Sequence, residues 1–474
     1  GLPAERYSYN QNRFQTHTLM VSLALHRLKL RLAALRTDTL QAKAMRNAGI
    51  SLSVRMASIA AGFLAQLVLA RVLGVSEFGL YAYTWSWMLV LAILGKVGGD
   101  IAAVRYVAAY RASQDMARLK GYIHFAIITC LGVSIVAACS VGLLLGRLSA
   151  YVNITPTVAE GLVAMLYVLP IYALAMVQTG ILRGVERIFE ALLTQNLLLQ
   201  LGILLFIGLH YSLNASTPTA ITAIWASGIA ALATTAVQMV IIAKHTPILD
   251  RNVRAAYALK EWLTVSATIM TSTGLYQLFG QLDVLAVGTF LGTSVAGLYS
   301  VALRFTRLVM TGLEIANQST AHMFPGLYQR GETRKLQQIV RLNASMSILY
   351  TLPPAFILFV WPTHILALFG ESFVDGATLL RILLVAQMVG VISGPNGILL
   401  NLTGHERELA MILGMTLIVF VTMLAMLIPT KGAIGAAVAT LIAYSIHNFA
   451  SSLRVWQRLR INPTAIALDA QSDH

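Results

Sequence analysis

The sequence predicts an all-helical membrane protein with about 12 transmembrane helices, arranged as two six-helix bundles related by a parallel repeat. Of its 474 residues, 57% are hydrophobic and 11% are charged, whereas soluble domains average about 25% charged residues. About a dozen apolar stretches are long enough for a helix to cross a hydrocarbon core, which takes roughly 20 residues. A nine-residue sequence also occurs twice, once in each half of the chain.

The apolar stretches fall into two sets of six. The first set lies near residues 47–70, 80–103, 122–146, 158–182, 189–210 and 219–243, and the second near 262–287, 296–320, 342–369, 377–400, 408–428 and 432–455. Because each stretch is continuously apolar, we expect helices and not barrel strands, which would alternate with a period of two. The predicted organisation is a basic amphipathic extension at 1–45, a first bundle at 46–245, a cytoplasmic linker at 246–260, a second bundle at 261–457 and a cytoplasmic tail at 458–474.

Lys and Arg are distributed unevenly among the predicted loops. If the N-terminus is inside, the opposite loops hold only Arg71, Arg147 and Lys431. Positively charged loops stay on the cytoplasmic side, so we expect both termini to be cytoplasmic. The net charge of +15 is then mainly a signal of topology, with attraction to anionic lipid headgroups as a by-product. We do not expect nucleic-acid binding, because the charge is scattered over short loops. The extension at 1–45 is expected to lie on the inner membrane surface.

The repeated sequence is LGVSEFGLY at 73–81 and LGTSVAGLY at 291–299, with six identities in nine residues. The copies join the first span to the second and the seventh span to the eighth. Since six spans separate them, both halves have the same orientation, which predicts two similar bundles with a cleft between them. We expect the glycines of both copies to let the chain reverse tightly at the outer surface; these are Gly74, Gly79, Gly292 and Gly297.

Several function classes lack their sequence signatures. The chain has no GxxxxGK[ST] loop for ATP, and Cys130 and Cys139 form neither a CxxC motif nor a plausible disulfide. Its ten histidines show no metal-binding spacing such as HExxH. No predicted outer loop is long enough to house a catalytic domain. We therefore predict a transporter that is not an enzyme and that needs no metal or cofactor.

Polar residues at bilayer depth indicate a cavity or a partner, because a charge there costs about 2.5 to 3.5 kcal/mol. One face of the eighth span is polar, since its residues are spaced by 3, 4, 3 and 4 positions; they are Arg304, Arg307, Thr311, Glu314 and Gln318. At the positions that correspond in the repeat, the second span carries Lys96 and Asp100.

The first and seventh spans are expected to form the opposite wall. Arg55 lies about two turns inside the first span, and Tyr276 and Asp283 lie on one stripe of the seventh, next to Gln277 and Gln281. These charged residues could instead pair with one another as structural bridges or reach the lipid headgroups. The surplus of cations over carboxylates on these faces favours an anionic ligand.

The chain resembles the polysaccharide biosynthesis flippases in three segments, LARVLGVSEFGLYAYTWSWMLVLAILGKVGGDIAAVRYVA, LDVLAVGTFLGTSVAGLYSVALRFTRL and KGAIGAAVATLIAYSIHNFASSLRVW. These are the Wzx-type exporters of lipid-linked oligosaccharides in the multidrug/oligosaccharidyl-lipid/polysaccharide exporter superfamily. The resemblance covers residues 46 to about 460. It implies alternating access and passage of an undecaprenyl-diphosphate-linked glycan from the inner to the outer leaflet of the bacterial cytoplasmic membrane, for assembly of O-antigen, capsule or exopolysaccharide. It also implies an ion gradient or the membrane potential as the driving force, and contact with a polysaccharide polymerase and a chain-length regulator.

A lipid diphosphate agrees with the surplus of cations, because Arg forks match phosphate oxygens and Lys adds a compact charge. The expected diphosphate ligands are Arg55, Lys96, Arg304 and Arg307; the expected glycan contacts are Tyr276, Gln277, Gln281, Asn317 and Gln318; the candidates for ion coupling are Asp100, Asp283 and Glu314. Two other functions stay open, an ion-coupled drug or cation antiporter on the same scaffold and a membrane glycan ligase or polymerase.

Overall fold

The computed structural model describes residues 40–148, 155–214, 217–250 and 252–464, and side chains before residue 56 lie outside that description. Most of the predicted extension and the end of the predicted tail therefore fall outside the described residues. Every regular element among the described residues is helical, and none is a strand. This confirms the predicted all-helical class. From Ile59 onward the chain packs into one compact unit.

The helices follow the predicted spans closely. In chain order the α-helices are α1 Leu40–Lys96, α2 Gly99–Ala112, α3 Met116–Leu148, α4 Pro156–Gly184, α5 Ile188–Leu192, α6 Leu199–Asn214, α7 Ala220–His245, α8 Leu259–Phe279, α9 Leu282–Leu291, α10 Thr293–Thr320, α11 Phe324–Gln329, α12 Thr333–Val360, α13 Pro362–Leu366, α14 Ala377–Ile392, α15 Asn396–Leu402 and α16 Glu406–Leu459. A π-helix at Leu193–Leu198 joins α5 to α6, and 3-10 turns lie at Pro247–Leu249, Ala321–Met323 and Glu371–Gly376.

Eight helices within the described ranges are long and apolar enough to cross a membrane. Two predicted spans share α1, and two share α16. Each of these long helices bends at one glycine with positive φ, Gly74 or Gly432, and the bend lies between its two predicted spans. The seventh and eighth predicted spans are not among the eight. The seventh is interrupted at residues 280–281, between α8 and α9, and α10 carries Arg304, Arg307 and Glu314, which lower its hydropathy.

The two copies of the repeat fold alike, but their glycines serve two purposes. Gly74 and Gly292 have φ values of 72° and 90°, in the region that favours glycine, and the chain turns there as predicted. Gly79 and Gly297 lie inside the following helical segments. A Cβ atom on Gly79 would lie 1.9 Å from the carbonyl oxygen of Thr293. The prediction that all four glycines serve the turn is therefore wrong for Gly79 and Gly297, which instead allow two helices to cross in backbone contact.

The apolar core forms one large cluster at one end of the helices and two smaller clusters at the other. We call the end that carries the two repeat copies the repeat end, and the opposite end the basic end. From the repeat end to the middle, one buried cluster includes Phe78 of the first half and Phe369 of the second. At the basic end, one cluster joins Tyr122 of the first half to Trp262 of α8, and a separate cluster around Phe324 belongs to the second half.

Aromatic rings close the repeat end. Phe369 and Phe373 lie between α13 and α14 and are buried. The ring of Phe369 packs edge-on against Phe63 of α1 and Phe305 of α10, with centroids 5.6 and 5.3 Å away. Phe373 packs edge-on against Phe78 at 5.9 Å. These rings connect the two halves across the end where the repeat copies meet.

Candidate substrate-binding site

A cavity of about 350 Å³ lies between α10 and the helices of the first half. Its walls come from α1, α4, the π-helix and α6 on one side and from α9 and α10 on the other. The polar and aromatic side chains that line it include Gln66, Trp85, Gln195, Gln200, Arg304 and Arg307. Two of the four predicted diphosphate ligands therefore face the same cavity, as the helical spacing of α10 predicts.

Arg304 is a cation without an anionic partner in the described part of the chain. Its guanidinium carbon lies 5.7 Å from the centroid of the Phe78 ring, and its Nε is buried without a hydrogen-bond partner there. The positive charge of Arg307, one turn away, repels the positive charge of Arg304. Buried charges in proteins are normally paired, so an anion in the cavity would complete this site.

Arg307 is more exposed than Arg304 and has protein partners. Its Nη2 donates to the carbonyl oxygen of Gly280 at 2.8 Å, which is freed by the break between α8 and α9. Its charge also acts on Asp283, whose carboxylate is 4% exposed and accepts a hydrogen bond from the Val284 amide at 2.8 Å. Arg307 therefore links the cavity to a buried carboxylate at the helix break.

Lys96 lies in a different place from the two arginines. It is 3% exposed, and its Nζ is 2.7 Å from Oδ2 of Asp100. The pair spans the break between α1 and α2, where Val97 and Gly98 have positive φ. Lys96 lines neither this cavity nor a second one within the other half of the chain. The alternative of a structural bridge fits the geometry of Lys96 better than direct contact with a ligand.

The second cavity has a volume of about 290 Å³ and lies within the second half. Tyr276 and Asn317 line it, and Asn317 accepts a hydrogen bond from Asn343 at 3.1 Å. On the opposite side Asn396 donates to the carbonyl oxygen of Asn448 at 3.1 Å. This cavity has a mostly apolar lining with a few amides, and no Arg or Lys is among the described residues that line it.

The predicted site residues are thus divided among several places. Gln281 lines the cavity with the arginines, whereas Tyr276 and Asn317 line the second cavity. Gln277 and Gln318 are exposed and line neither of the two. Glu314 is exposed on α10 and also lies outside both. Arg55 belongs to α1, but its side chain lies outside the described residues.

Sequence reasoning missed the amides of the first half. Gln195 and Asn196 lie in the π-helix, and Gln200 lies just after it. The signal was visible, since three amides within six residues interrupt an apolar span. A π-helix adds a residue to one turn and so rotates the following side chains by about 100° relative to a regular helix. Regular helical spacing therefore could not assign these amides to one wall.

The comparisons with known proteins agree with this architecture. The model of the polysaccharide biosynthesis protein family matches residues 44–329. A curated relative, "Probable low-salt glycan biosynthesis flippase Agl15" of Haloferax volcanii, is 27% identical over 188 residues. That alignment covers 38% of this chain and 38% of the relative.

Solved structures share the fold at low sequence identity. A multidrug resistance MATE family transporter of the MOP superfamily superposes with a TM-score of 0.71 at 14% identity, over 87% of this chain and 98% of that one. Lipid II flippase MurJ superposes with a TM-score of 0.63 at 14% identity, over 85% of this chain and 87% of that one. A MOP superfamily transporter from Pyrococcus furiosus gives 0.59 at 14% identity, over 87% and 93%.

Proposed function

Because the chain belongs to the polysaccharide biosynthesis protein family, we propose that it is a flippase for a lipid-linked glycan. Its substrate is an undecaprenyl-diphosphate-linked oligosaccharide, moved from the cytoplasmic to the outer leaflet of the bacterial inner membrane for polysaccharide assembly. The observation that carries the proposal is Arg304, a half-buried cation that faces a cavity and whose buried Nε is unpaired in the described residues. A lipid diphosphate supplies the anion that this position lacks.

Two guanidiniums hold the headgroup, and they differ in how many protein groups they already contact. Arg304 has no protein anion to compete for it among the described residues, so it binds the diphosphate directly through charge-assisted hydrogen bonds. Arg307 is shared between the Gly280 carbonyl, Asp283 and the cavity. Binding of the diphosphate draws Arg307 away from Asp283, which couples the occupied cavity to a buried carboxylate. Asp283 is therefore the proposed ion-coupling residue.

Alternating access follows from the way the core is divided. With both termini inside, the repeat end faces outward and the basic end faces the cytoplasm. The shared core and the aromatic rings at the repeat end then close the outer side. At the basic end α8 packs with the first half, while other helices of the second half pack in the separate cluster around Phe324 and can move away from the first bundle on the cytoplasmic side. The bundles at 46–245 and 261–457 would rock against each other to release the glycan outside, where a polymerase and a chain-length regulator receive it.

Two other functions fit less of the structure. A cation antiporter shares the scaffold of the superposed transporters, but a cavity with two arginines repels a cationic drug. A glycan ligase or polymerase would need an activated nucleophile or a general base in contact with the cavity. Ser86 and Ser300 line it, but each hydroxyl donates to a backbone carbonyl oxygen, and no Asp, Glu or His is among the described residues that line the cavity.

Reconstitution into vesicles tests the proposal. Vesicles carry undecaprenyl-diphosphate-linked N-acetylglucosamine, and a membrane-impermeant glycosidase reports the fraction that is exposed outside. We expect the purified protein to make the inner-leaflet lipid accessible, whereas vesicles without protein keep it protected. Efflux of a cationic dye from the same vesicles, without movement of the lipid, would establish the antiporter instead.

A further inference from the structure

The π-helix at Leu193–Leu198 lies on the wall of the first cavity that faces Arg304. It places Gln195 and Asn196 in the lining, and Gln200 follows on the same wall. A π-helix inside a transmembrane span gives up regular backbone hydrogen bonding and is often found at functional sites.

A buried polar network from two neighbouring helices holds the π-helix in place. Gln238 of α7 donates to the hydroxyls of Thr179 and Thr194, at 2.9 and 3.0 Å. Thr194 in turn donates to the carbonyl oxygen of Glu190 at 2.8 Å, and Thr179 hydrogen-bonds Gln195. The distortion is thus stabilised by specific side chains, and it keeps Gln195 and Asn196 at the cavity.

Two amide oxygens in this cavity lack donors among the described residues. Gln66 is 8% exposed, and its Oε1 is buried without a hydrogen-bond partner, as is Oε1 of Gln200. Both residues line the cavity, and the Gln66 amide lies next to the Tyr81 hydroxyl. A carboxamide oxygen only accepts hydrogen bonds. A ligand that satisfies both oxygens must carry hydroxyl or N–H donors.

A fixed aromatic face lies beside these amides. Trp85 lines the cavity and is stacked on Tyr81, with ring centroids 5.6 Å apart and an angle of 28° between the planes. Trp85 and Tyr172 form a T-shaped pair, with ring centroids 5.3 Å apart. An aromatic face next to hydrogen-bond acceptors combines an apolar surface with directed polar contacts, which suits a ring that has C–H groups on one face and hydroxyls around its rim.

We propose that Gln66, Trp85, Gln195, Asn196 and Gln200 form the binding wall for the pyranose attached directly to the diphosphate. The inference rests on the proposed function, since Arg304 on the opposite wall must hold the diphosphate. The hydroxyls of the sugar donate to Gln66 and Gln200, and the amide nitrogens of Gln195 and Asn196 donate to its oxygens. The cavity volume of about 350 Å³ is at the small end of ligand sites, which span about 300 to 1,000 Å³. It therefore selects the first sugar, and the remaining glycan extends beyond it.

Binding of defined lipids to the full chain in nanodiscs tests the proposal. The probes are undecaprenyl diphosphate alone and the same lipid carrying one N-acetylglucosamine, glucose or galactose. We expect the wild type to bind at least one sugar-bearing lipid more tightly than the sugar-free lipid. The double variant Gln66→Leu with Gln200→Leu should lose that preference, roughly tenfold for two hydrogen bonds, and should bind the sugar-free lipid like the wild type.

Gln178→Leu is the matched control, because Gln178 is a buried amide with an unpaired oxygen in the described region that does not line this cavity. It should keep the preference for sugar. If the double variant folds poorly, as judged by its melting temperature, Gln200→Met keeps the length of the side chain and removes one of the two acceptors, so the preference should fall roughly threefold. Equal binding of all four lipids by the wild type, or an unchanged preference in the variants, would overturn the sugar wall while leaving diphosphate binding intact. If the wild type binds none of the lipids, the proposed function fails as well.

Discussion

Gly79 and Gly297, equivalent residues of the two repeat copies, pack backbone against backbone. A Cβ atom on Gly297 would lie 3.0 Å from the Cα of Gly79 and 2.7 Å from the carbonyl oxygen of Val75. The repeated sequence thus makes a contact with itself at the end where the two halves share their core. Each copy of the repeat therefore supplies one of the two helix surfaces that close the repeat end.

Gly79→Ala should open the repeat end. The added methyl group would meet the backbone oxygen of Thr293 at 1.9 Å, and a backbone atom cannot move aside without shifting its helix. Spin labels at Ser76 and Ser294, equivalent exposed positions, report the separation when Cys130 and Cys139 are first replaced by Ala. We expect the distance distribution to move to longer values in the variant.

Gly132→Ala provides the comparison, because a Cβ atom at this helical glycine meets nothing within 4 Å. It should leave the label distance unchanged and favour the helix by up to about 1 kcal/mol. If Gly79→Ala gives the same distances as Gly132→Ala, the glycine contact does not control closure.

Lys96 and Asp100 should matter for stability more than for lipid binding. Removal of one partner of a buried ion pair leaves an uncompensated charge and costs about 3–5 kcal/mol. We expect Lys96→Met to lower the melting temperature in detergent markedly, and the double variant Lys96→Met with Asp100→Leu to recover part of the loss. Weaker binding of undecaprenyl diphosphate at an unchanged melting temperature would show instead that Lys96 contacts the headgroup.

Asp283→Asn should remove the response to an ion gradient. The residue is buried beside Arg307, so a change in its charge alters how strongly Arg307 is held. In vesicles with an imposed proton or sodium gradient, the wild type should move the lipid faster than without one. The variant should move it at one rate under both conditions, and Glu160→Gln, at an exposed carboxylate on α4, should behave like the wild type. A wild type that is indifferent to both gradients would exclude ion coupling.

The sequence was sufficient for features that depend on helical periodicity. Apolar length predicted the helices, and the spacing of Arg304 and Arg307 predicted that they share a face, because 3.6 residues per turn fixes which side chains align. The shared face of α10 also explains why this helix is too polar to count as a span by composition. The repeat predicted equivalent bundles, and the φ values of Gly74 and Gly292 match the expected turns.

The sequence was insufficient where neighbouring helices decide the outcome. The π-helix is stabilised by Gln238, which lies on another helix, so the sequence around residues 193–198 contains no pattern that predicts it. The assignment of Gln281 to one cavity and Tyr276 to another depends on the break at Gly280, which regular periodicity through the seventh span hides. Lys96 could have been paired with Asp100 from their spacing of four residues, but spacing alone does not distinguish a buried bridge from a ligand contact.

Binding of undecaprenyl diphosphate to purified protein, with Arg304 replaced in turn by Lys and Gln, is the decisive measurement. Arg304→Lys keeps the charge and removes the planar fork, so affinity should fall about tenfold. Arg304→Gln removes both, so binding should be nearly lost, while folded yield and melting temperature stay close to the wild type in both variants. Arg307→Lys and Arg307→Gln should follow the same order with smaller losses, since protein groups already engage Arg307. Unchanged lipid binding, or an equal loss of folded protein in all four variants, would show that these arginines hold the bundle together and do not bind the headgroup.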